Sequence, residues 1–339
     1  MHRSEITIDL GALRRNARRL RQVLGEAELW AVVKADGYGH GAIDVARAVL
    51  DEGAGALCVA TVAEALELRE EFPEARILVM GPPAGRDVAL AREARIELTV
   101  SDGEVPDDVP VHLKLDTGMG RWGLRELPEV SGQVIGLMTH LATADSDPDF
   151  AREQLGRFEQ ATRPHAQLTR HAANSAAALR LPESRLDAAR CGIALYGLSP
   201  FGGNPAEDGL EPVLRWKSHL AQVKQLGPGE STGYGRRFTA REPTFIGIVP
   251  VGYADGFRRD MTGTEVVLDG ERRLVVGTVS MDALAVELPE LLPVGTPVTL
   301  IGDGVLAEEH AAVADTINYE IVSQIDSRPC RAQRTVVDA

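Results

Sequence analysis

The chain has 339 residues, 44% of them apolar and 25% charged, a balance that supports a sizeable core and excludes a disordered or collagen-like polymer. Lys and Arg number 36 against 50 Asp and Glu, a net charge of −14 with no basic cluster, which argues against general nucleic-acid binding. Three scattered cysteines (Cys58, Cys191, Cys330) form no CxxC pair, which argues against a disulfide framework and a zinc site and suits a reducing cytoplasm.

The first predicted element is a helix near the start. Leu13, Ala17, Leu20 and Leu24 line one face at helical spacing. Its arginines imitate a transit peptide, but Glu5 and Asp9 are wrong for one and no signal-peptide core precedes them. No run approaches the roughly 18 consecutive apolar residues of a spanning helix, so no membrane partner is expected.

Eight short runs rich in Val, Ile and Leu then alternate with helical patterns. They lie at 29–34, 56–60, 76–80, 97–100, 111–115, 134–140, 167–171 and 186–190. Thr61 and Glu64 form a capping-box pattern that opens a helix over 62–71. Eight strands alternating with helices predict an α/β fold, a (β/α)8 TIM barrel. After about Pro212 glycine and proline recur every few residues. Strand patterns fall at 216–226, 244–251, 265–268, 274–279, 283–288 and 297–301, with one short helix around 308–315. The division predicted is a barrel over 1–212, whose first residues are free to pack with the second domain, and a mostly β C-terminal domain over 213–339.

Barrel enzymes work at the carboxyl ends of their strands, so the residues there carry the chemistry. Lys34 closes the first strand and is followed by a loop with three glycines, Gly37, Gly39 and Gly41, around Tyr38 and His40. A buried lysine has a depressed pKa and a nucleophilic amine, which Schiff-base chemistry needs. The fifth strand carries Lys114 and Asp116 and ends in a glycine-rich turn to Arg121. The sixth ends at His140, the seventh at Asn174-Ser175 before an alanine-rich helix, and the eighth at Arg190 before Gly192-Ile193. A hydroxyl and amides at a helix start suit a phosphate, although an N-cap without a ligand explains them as well. In the second domain Tyr253 sits between glycines, Ser280-Met281-Asp282 follows a strand, and Tyr319 follows the short helix.

Taken in order, these motifs resemble the alanine racemases, pyridoxal-phosphate enzymes of fold type III. The resemblance runs from about Ile6 to Arg331, and its most specific segment is Val32 to Gly41 with Lys34 and Tyr38. It implies that Lys34 holds pyridoxal 5′-phosphate covalently and that Lys34 and Tyr253 act as acid and base on opposite faces of the substrate. A positive neighbour must then lower the tyrosine's pKa, ordinarily near 10, a task within reach of His140 and Arg190. Arg190 would meet the ring nitrogen as a donor, because a guanidinium has no acceptor. Tyr38, Ser175 and Tyr319 would bind the phosphate with amides near Asn174, Gly192 and Ile193. Arg121 and the amide of Met281 would hold the substrate carboxylate. Lys114 matches a position that is carbamylated in some members; an unmodified lysine or a bound anion is the alternative.

The resemblance further implies a cytoplasmic homodimer with shared active sites, interconverting L- and D-alanine for peptidoglycan. Ser280 departs from the cysteine common before the Met-Asp pair, which leaves substrate choice less constrained than the chemistry. A broad-specificity or serine racemase of the same fold is the nearest alternative. A basic-amino-acid decarboxylase would place an acid at the ring nitrogen, where Arg190 stands. A non-catalytic pyridoxal-phosphate carrier would leave the second domain unexplained.

Overall fold

The computed structural model describes residues 2–130 and 132–339. Strand β1 (Glu5–Asp9) leads into helix α1 (Leu10–Leu24). The Asp9 carboxylate accepts the Ala12 N–H at 3.0 Å and so caps that helix, while Leu13, Ala17, Leu20 and Leu24 all lie buried, as the spacing predicts.

The chain divides into two compact units. One, Leu13–Phe201 with Asp208–Leu210, contains a closed barrel of eight parallel strands. These are β2 (Glu28–Val32), β3 (Ala56–Val59), β4 (Ile77–Val79), β5 (Glu97–Val100), β6 (Val111–Lys114), β7 (Val134–Met138), β8 (Thr169–His171) and β9 (Ala188–Cys191). Each predicted run overlaps one of them. The residues of β3 and β4 are buried throughout, the continuous apolar pattern of strands covered on both faces. Between them run α2 (Lys34–Tyr38), α3 (Ala42–Asp51), α4 (Val62–Glu71), α5 (Gly85–Glu93), α6 (Pro148–Thr162) and α7 (Ser175–Arg180). The capping box of α4 forms as the sequence predicts: Thr61 Oγ1 accepts from Glu64 N at 3.2 Å and the Glu64 carboxylate accepts from Thr61 N at 3.1 Å. The first barrel strand is shorter than 29–34. It ends at Val32, after which Val33 N donates to Cys58 O at 2.9 Å and the backbone turns.

The other unit comprises the described residues through Ala12, Gly202–Glu207 and Glu211–Ala339. Its strands are β10 (Leu214–His219), β11 (Gln222–Leu226), β12 (Ser231–Thr232), β13 (Phe238–Thr239), β14 (Thr244–Val249), β15 (Glu265–Leu268), β16 (Glu271–Val276), β17 (Leu284–Leu288), β18 (Pro297–Ile301) and β19 (Gln333–Val337). Helices α8 (Ala307–Val313) and α9 (Asn318–Ser323) precede the last of these. Nine strands form one sheet in the order β11-β14-β17-β16-β15-β18-β10-β1-β19. β1 is antiparallel to β10 and parallel to β19.

Two sequence expectations change here. The single strand over 216–226 is two strands, because Leu220 donates to Thr296 O while Ala221 donates to Ile248 O, so the chain switches partners between them. The strand placed at 274–279 starts at Glu271, directly after a tight turn at Asp269-Gly270, where both φ values are positive, 47° and 80°. No helix among the described residues is long and apolar enough to cross a membrane.

Candidate active site

Lys34 stands just past the carboxyl end of β2, on a backbone turn of the wrong hand. Ala35, Asp36, Gly37 and Tyr38 all have positive φ, at 51°, 50°, 60° and 55°. A left-handed turn costs roughly 1–2 kcal/mol for each residue with a Cβ, so other contacts must hold it. They are present. Glu64 Oε1 accepts from Ala35 N at 2.7 Å, Asp36 Oδ1 accepts from Ala42 N at 2.8 Å, and Gly37 N donates to Val33 O at 2.9 Å. Burial lowers the Lys34 pKa, the Arg121 charge lowers it further, and the Glu64 carboxylate opposes both.

Tyr38, at the end of this turn, lies against the loop after β9. A Cβ on Gly192 would fall 2.5 Å from the Tyr38 hydroxyl, so only glycine admits that ring. Ser175 Oγ accepts from Gly192 N at 3.0 Å and Ala194 N at 3.4 Å, with buried Ile193 between them. Asn174 is the N-cap of α7; its Oδ1 accepts from Ala177 N at 3.0 Å. Tyr196 stacks on Tyr38 and on His40 at centroid distances of 4.9 and 4.6 Å, and its hydroxyl donates to Val32 O at 2.9 Å. That bond ties the loop after β9 to the strand before Lys34.

The loop after β6 is wound around one carboxylate. Asp116 accepts N–H bonds from Gly118, Met119 and Gly120 at 2.8–3.1 Å, which hold its carboxyl below the usual range against the effect of burial. Gly123 closes the loop at φ 149°; a Cβ there would lie 2.6 Å from Asp116 N. The loop presents Arg121 and Trp122. The Arg121 guanidinium and the Lys114 amine both lie over the Trp122 ring, at 5.3 and 5.7 Å. Burial and the charges of Arg190 and Arg121 lower the Lys114 pKa to about 8.

Arg190 is fully enclosed, on β9. One Nη donates to His171 Nδ1 at 2.7 Å and to His171 O at 2.9 Å. The other donates to Thr139 O at 2.7 Å and Ala172 O at 3.2 Å, and lies 3.5 Å from His140 Nδ1. Among the described residues no carboxylate pairs with it. Burial and the Arg190 and Lys114 charges push the His140 pKa down to about 3, so that imidazole is neutral.

The charges of Lys34, Lys114, Arg121 and Arg190 thus converge on His140 at one end of the barrel. In an acidic chain this mouth is cationic and suited to an anion.

The remaining candidates belong to the other unit. Tyr253 N donates to Ser280 O at 3.1 Å and Ala254 N to Met281 O at 3.0 Å. The loop lies flat there because Gly252 has no Cβ; one would stand 2.2 Å from Ser280 O. Asp255 Oδ2 accepts from Gly252 N at 2.9 Å and pairs with Arg3 at 3.2 Å. Tyr253 and Met281 are exposed. Tyr319 lies on α9, whose Glu320 accepts from Thr316 and pairs with Arg258, five residues after Tyr253 in the chain. One unit therefore carries Tyr253, Met281 and Tyr319.

Sequence reasoning passed over three residues that hold this site. Glu64 was legible only as a helix cap, Asp116 only as an alternating charge, and Tyr196 only as a motif letter. A carboxylate or ring that grips a neighbouring loop has no local signature.

Known proteins resemble this chain over nearly its whole length. Residues 8–200 match the family described as alanine racemase, N-terminal domain, and residues 213–333 the one described as alanine racemase, C-terminal domain. The chain is 40% identical to an alanine racemase of Streptococcus gordonii, covering 97% of each chain. It is likewise 40% identical to one of Geobacillus stearothermophilus, covering 95% of this chain and 91% of that protein. Among solved structures, the alanine racemase from Streptomyces lavendulae superposes with a TM-score of 0.92 at 34% identity, covering 100% of this chain and 98% of the other. The one from Streptomyces coelicolor gives 0.90 at 38% identity, covering 99% and 98%.

Proposed function

The chain belongs to the alanine racemase family, and from that premise we propose that it interconverts L- and D-alanine with pyridoxal 5′-phosphate as cofactor, Lys34 and Tyr253 being the two acid–base groups. The observation that carries the reading is Arg190, buried at the barrel mouth beside Lys34's strand and with no carboxylate partner among the described residues.

The donors present fit that cofactor. Four of the five Arg190 N–H groups are engaged by protein acceptors, and among the described residues its Nε–H meets none. A ring nitrogen supplies the missing acceptor. Ser175 Oγ receives two amides, and its own proton, without an acceptor among the described residues, suits a phosphate oxygen. Tyr38 and the amides around Asn174, Gly192 and Ile193 would complete that end, with Tyr319 added as the family resemblance implies, and His140 would flank the ring. The bound group draws electron density from the substrate's α carbon and so acidifies its C–H. A guanidinium at the ring nitrogen donates and keeps that nitrogen unprotonated, which favours proton return over side reactions.

Lys34 would bind the cofactor, and its lowered pKa leaves more of its amine in the unprotonated form that acts as nucleophile and base. Racemisation requires that a proton leave the α carbon on one face and return on the other. Lys34 serves one face and Tyr253 the other. Arg121, steadied by Trp122, and the Met281 amide would hold the substrate carboxylate. Lys114, with its pKa near 8, is partly neutral at physiological pH, the state that carbamylation requires. The functional species would be a homodimer in which Tyr253 and Met281 of one subunit serve the other's Lys34. Its D-alanine would feed peptidoglycan synthesis.

Purified protein is expected to carry a visible chromophore that borohydride fixes onto Lys34, seen by peptide mass spectrometry, and chiral analysis should show both alanine enantiomers appearing from either one. Failure of reconstituted protein to bind the cofactor would falsify the reading, whereas faster turnover of serine would change only the substrate. Mixed Lys34→Ala and Tyr253→Phe subunits should regain activity on exchange, each heterodimer holding one intact site; no recovery after verified exchange rules out sharing.

A further inference from the structure

Behind Arg190 the barrel core contains polar groups that the proposed chemistry does not use. Arg190 Nη donates to His171 Nδ1 at 2.7 Å; His171 Nε2 meets His112 Nδ1 at 2.8 Å; His112 Nε2 meets Glu97 Oε2 at 2.9 Å; and Arg76 Nε donates to Glu97 Oε1 at 2.7 Å. Both imidazoles are fully buried.

This chain has one solution for its protons. A guanidinium has donors and no acceptors, so His171 Nδ1 must accept. The His171 proton then sits on Nε2 and is donated to His112 Nδ1. That nitrogen accepts, so the His112 proton also sits on Nε2 and is donated to Glu97, which must be a carboxylate. Neither histidine can take a second proton without breaking a bond in the chain. The direction of every pKa shift agrees: burial lowers both histidines, and the bonds from His112 and Arg76 hold Glu97 low despite its burial.

The packing is built around the chain. The Trp30 ring lies against His171 and His112 at centroid distances of 4.5 and 5.7 Å, with the Arg76 guanidinium over that ring at 4.5 Å. On β7, between the strands of the two histidines, stands Gly136. A Cβ there would fall 2.1 Å from His112 Nδ1, so the absence of a side chain is what lets the rings meet.

We propose that Glu97, His112 and His171 are positioning residues: a one-directional relay that orients the Arg190 guanidinium and keeps it a charged donor toward the ligand's ring. Three bonds and an anion at the far end fix which Arg190 hydrogens are spent inside the barrel and leave Nε–H for the mouth. The relay itself is a statement about the protein alone; its effect on the cofactor rests on the function proposed above.

The experiment has two parts. Long-range 1H–15N correlation spectra of the protein, with and without pyridoxal 5′-phosphate, should show His112 and His171 neutral with the proton on Nε2 from pH 5.5 to 8.5. A protonated ring or an Nδ1–H tautomer overturns the relay whether or not the protein is a racemase. In the loaded enzyme Glu97→Gln removes the anionic end while keeping the side chain's shape, since its amide cannot accept from both His112 and Arg76. The 15N signal of labelled cofactor's ring nitrogen should move, and kcat should fall about tenfold with little change in KM. A folded Glu97→Gln enzyme with the wild-type ring signal and kcat overturns the effect on Arg190. Gly136→Ala, which displaces His112 while substituting no relay residue, should reproduce both changes; a wild-type ring signal there is equally fatal.

Discussion

At the scale of single residues, the site turns on how one carboxylate is shared. Glu64 caps α4, accepts the Ala60 and Thr61 amides, and accepts the Ala35 amide next to Lys34. Its charge is the one influence that raises the Lys34 pKa against burial and Arg121. Glu64→Gln retains the shape and loses the charge, so Lys34 should deprotonate at lower pH than in the parent. The chain contains only four lysines, Lys34, Lys114, Lys217 and Lys224, so pulse acylation of cofactor-free protein followed by digestion resolves each one. A Lys34 labelling midpoint that stays put or rises would show that Glu64 acts as a cap alone. The lysine itself was legible, because a charged residue closing an apolar strand stands out in any sequence. Its carboxylate partner was not, since the 29 intervening residues say nothing of proximity.

At the scale of elements, the left-handed turn after β2 is where local preference and the fold disagree. Ala35 and Asp36 carry side chains where glycine would be unstrained. Ala35→Gly should raise stability by up to about 1 kcal/mol by relieving the Cβ clash, and Ala35→Val should lower it by about 2 kcal/mol, because a branched side chain fits that backbone worst. Urea unfolding of the two variants decides it; a valine variant as stable as the parent would mean that the turn carries no strain. The same contrast explains what the sequence displayed. The barrel strands were legible because their burial on both faces leaves a run of Val, Ile and Leu, and α4 because its caps are local. β19, largely polar, and the two-residue strands β12 and β13 were invisible, since partners far along the chain make them strands. The relay behind Arg190 was hidden for a like reason: each member comes from a different strand or strand end.

At the scale of the whole molecule, buried neutral histidines set the response to acid. His112, His140 and His171 in one unit and His310 in the other all have pKa values lowered by burial. The unfolded chain takes up these protons near pH 6.5 and the native one does not. Stability is therefore fully present above that pH and falls below it, by up to about 1.4 kcal/mol per pH unit for each histidine. The urea midpoint should hold between pH 8 and 7 and drop between pH 6.5 and 5, above the range where carboxylates titrate. Acidification also relieves the self-repulsion of a −14 chain, which pushes the other way, so a flat or rising midpoint would show that repulsion outweighs the histidines.

The placement of β1 between β10 and β19 also bears on the order of events during synthesis. All eight barrel strands lie between Glu28 and Cys191, so that unit can close while the ribosome is still translating the rest. β1, made before any of them, has its parallel neighbour made last of all the strands. It must remain without that neighbour until every other strand among the described residues has been made, so the nine-stranded sheet is completed only once β19 has emerged. A chain stalled before β19 would release a finished barrel while the edge of β1 that β19 covers stays open to strand-pairing with other nascent chains.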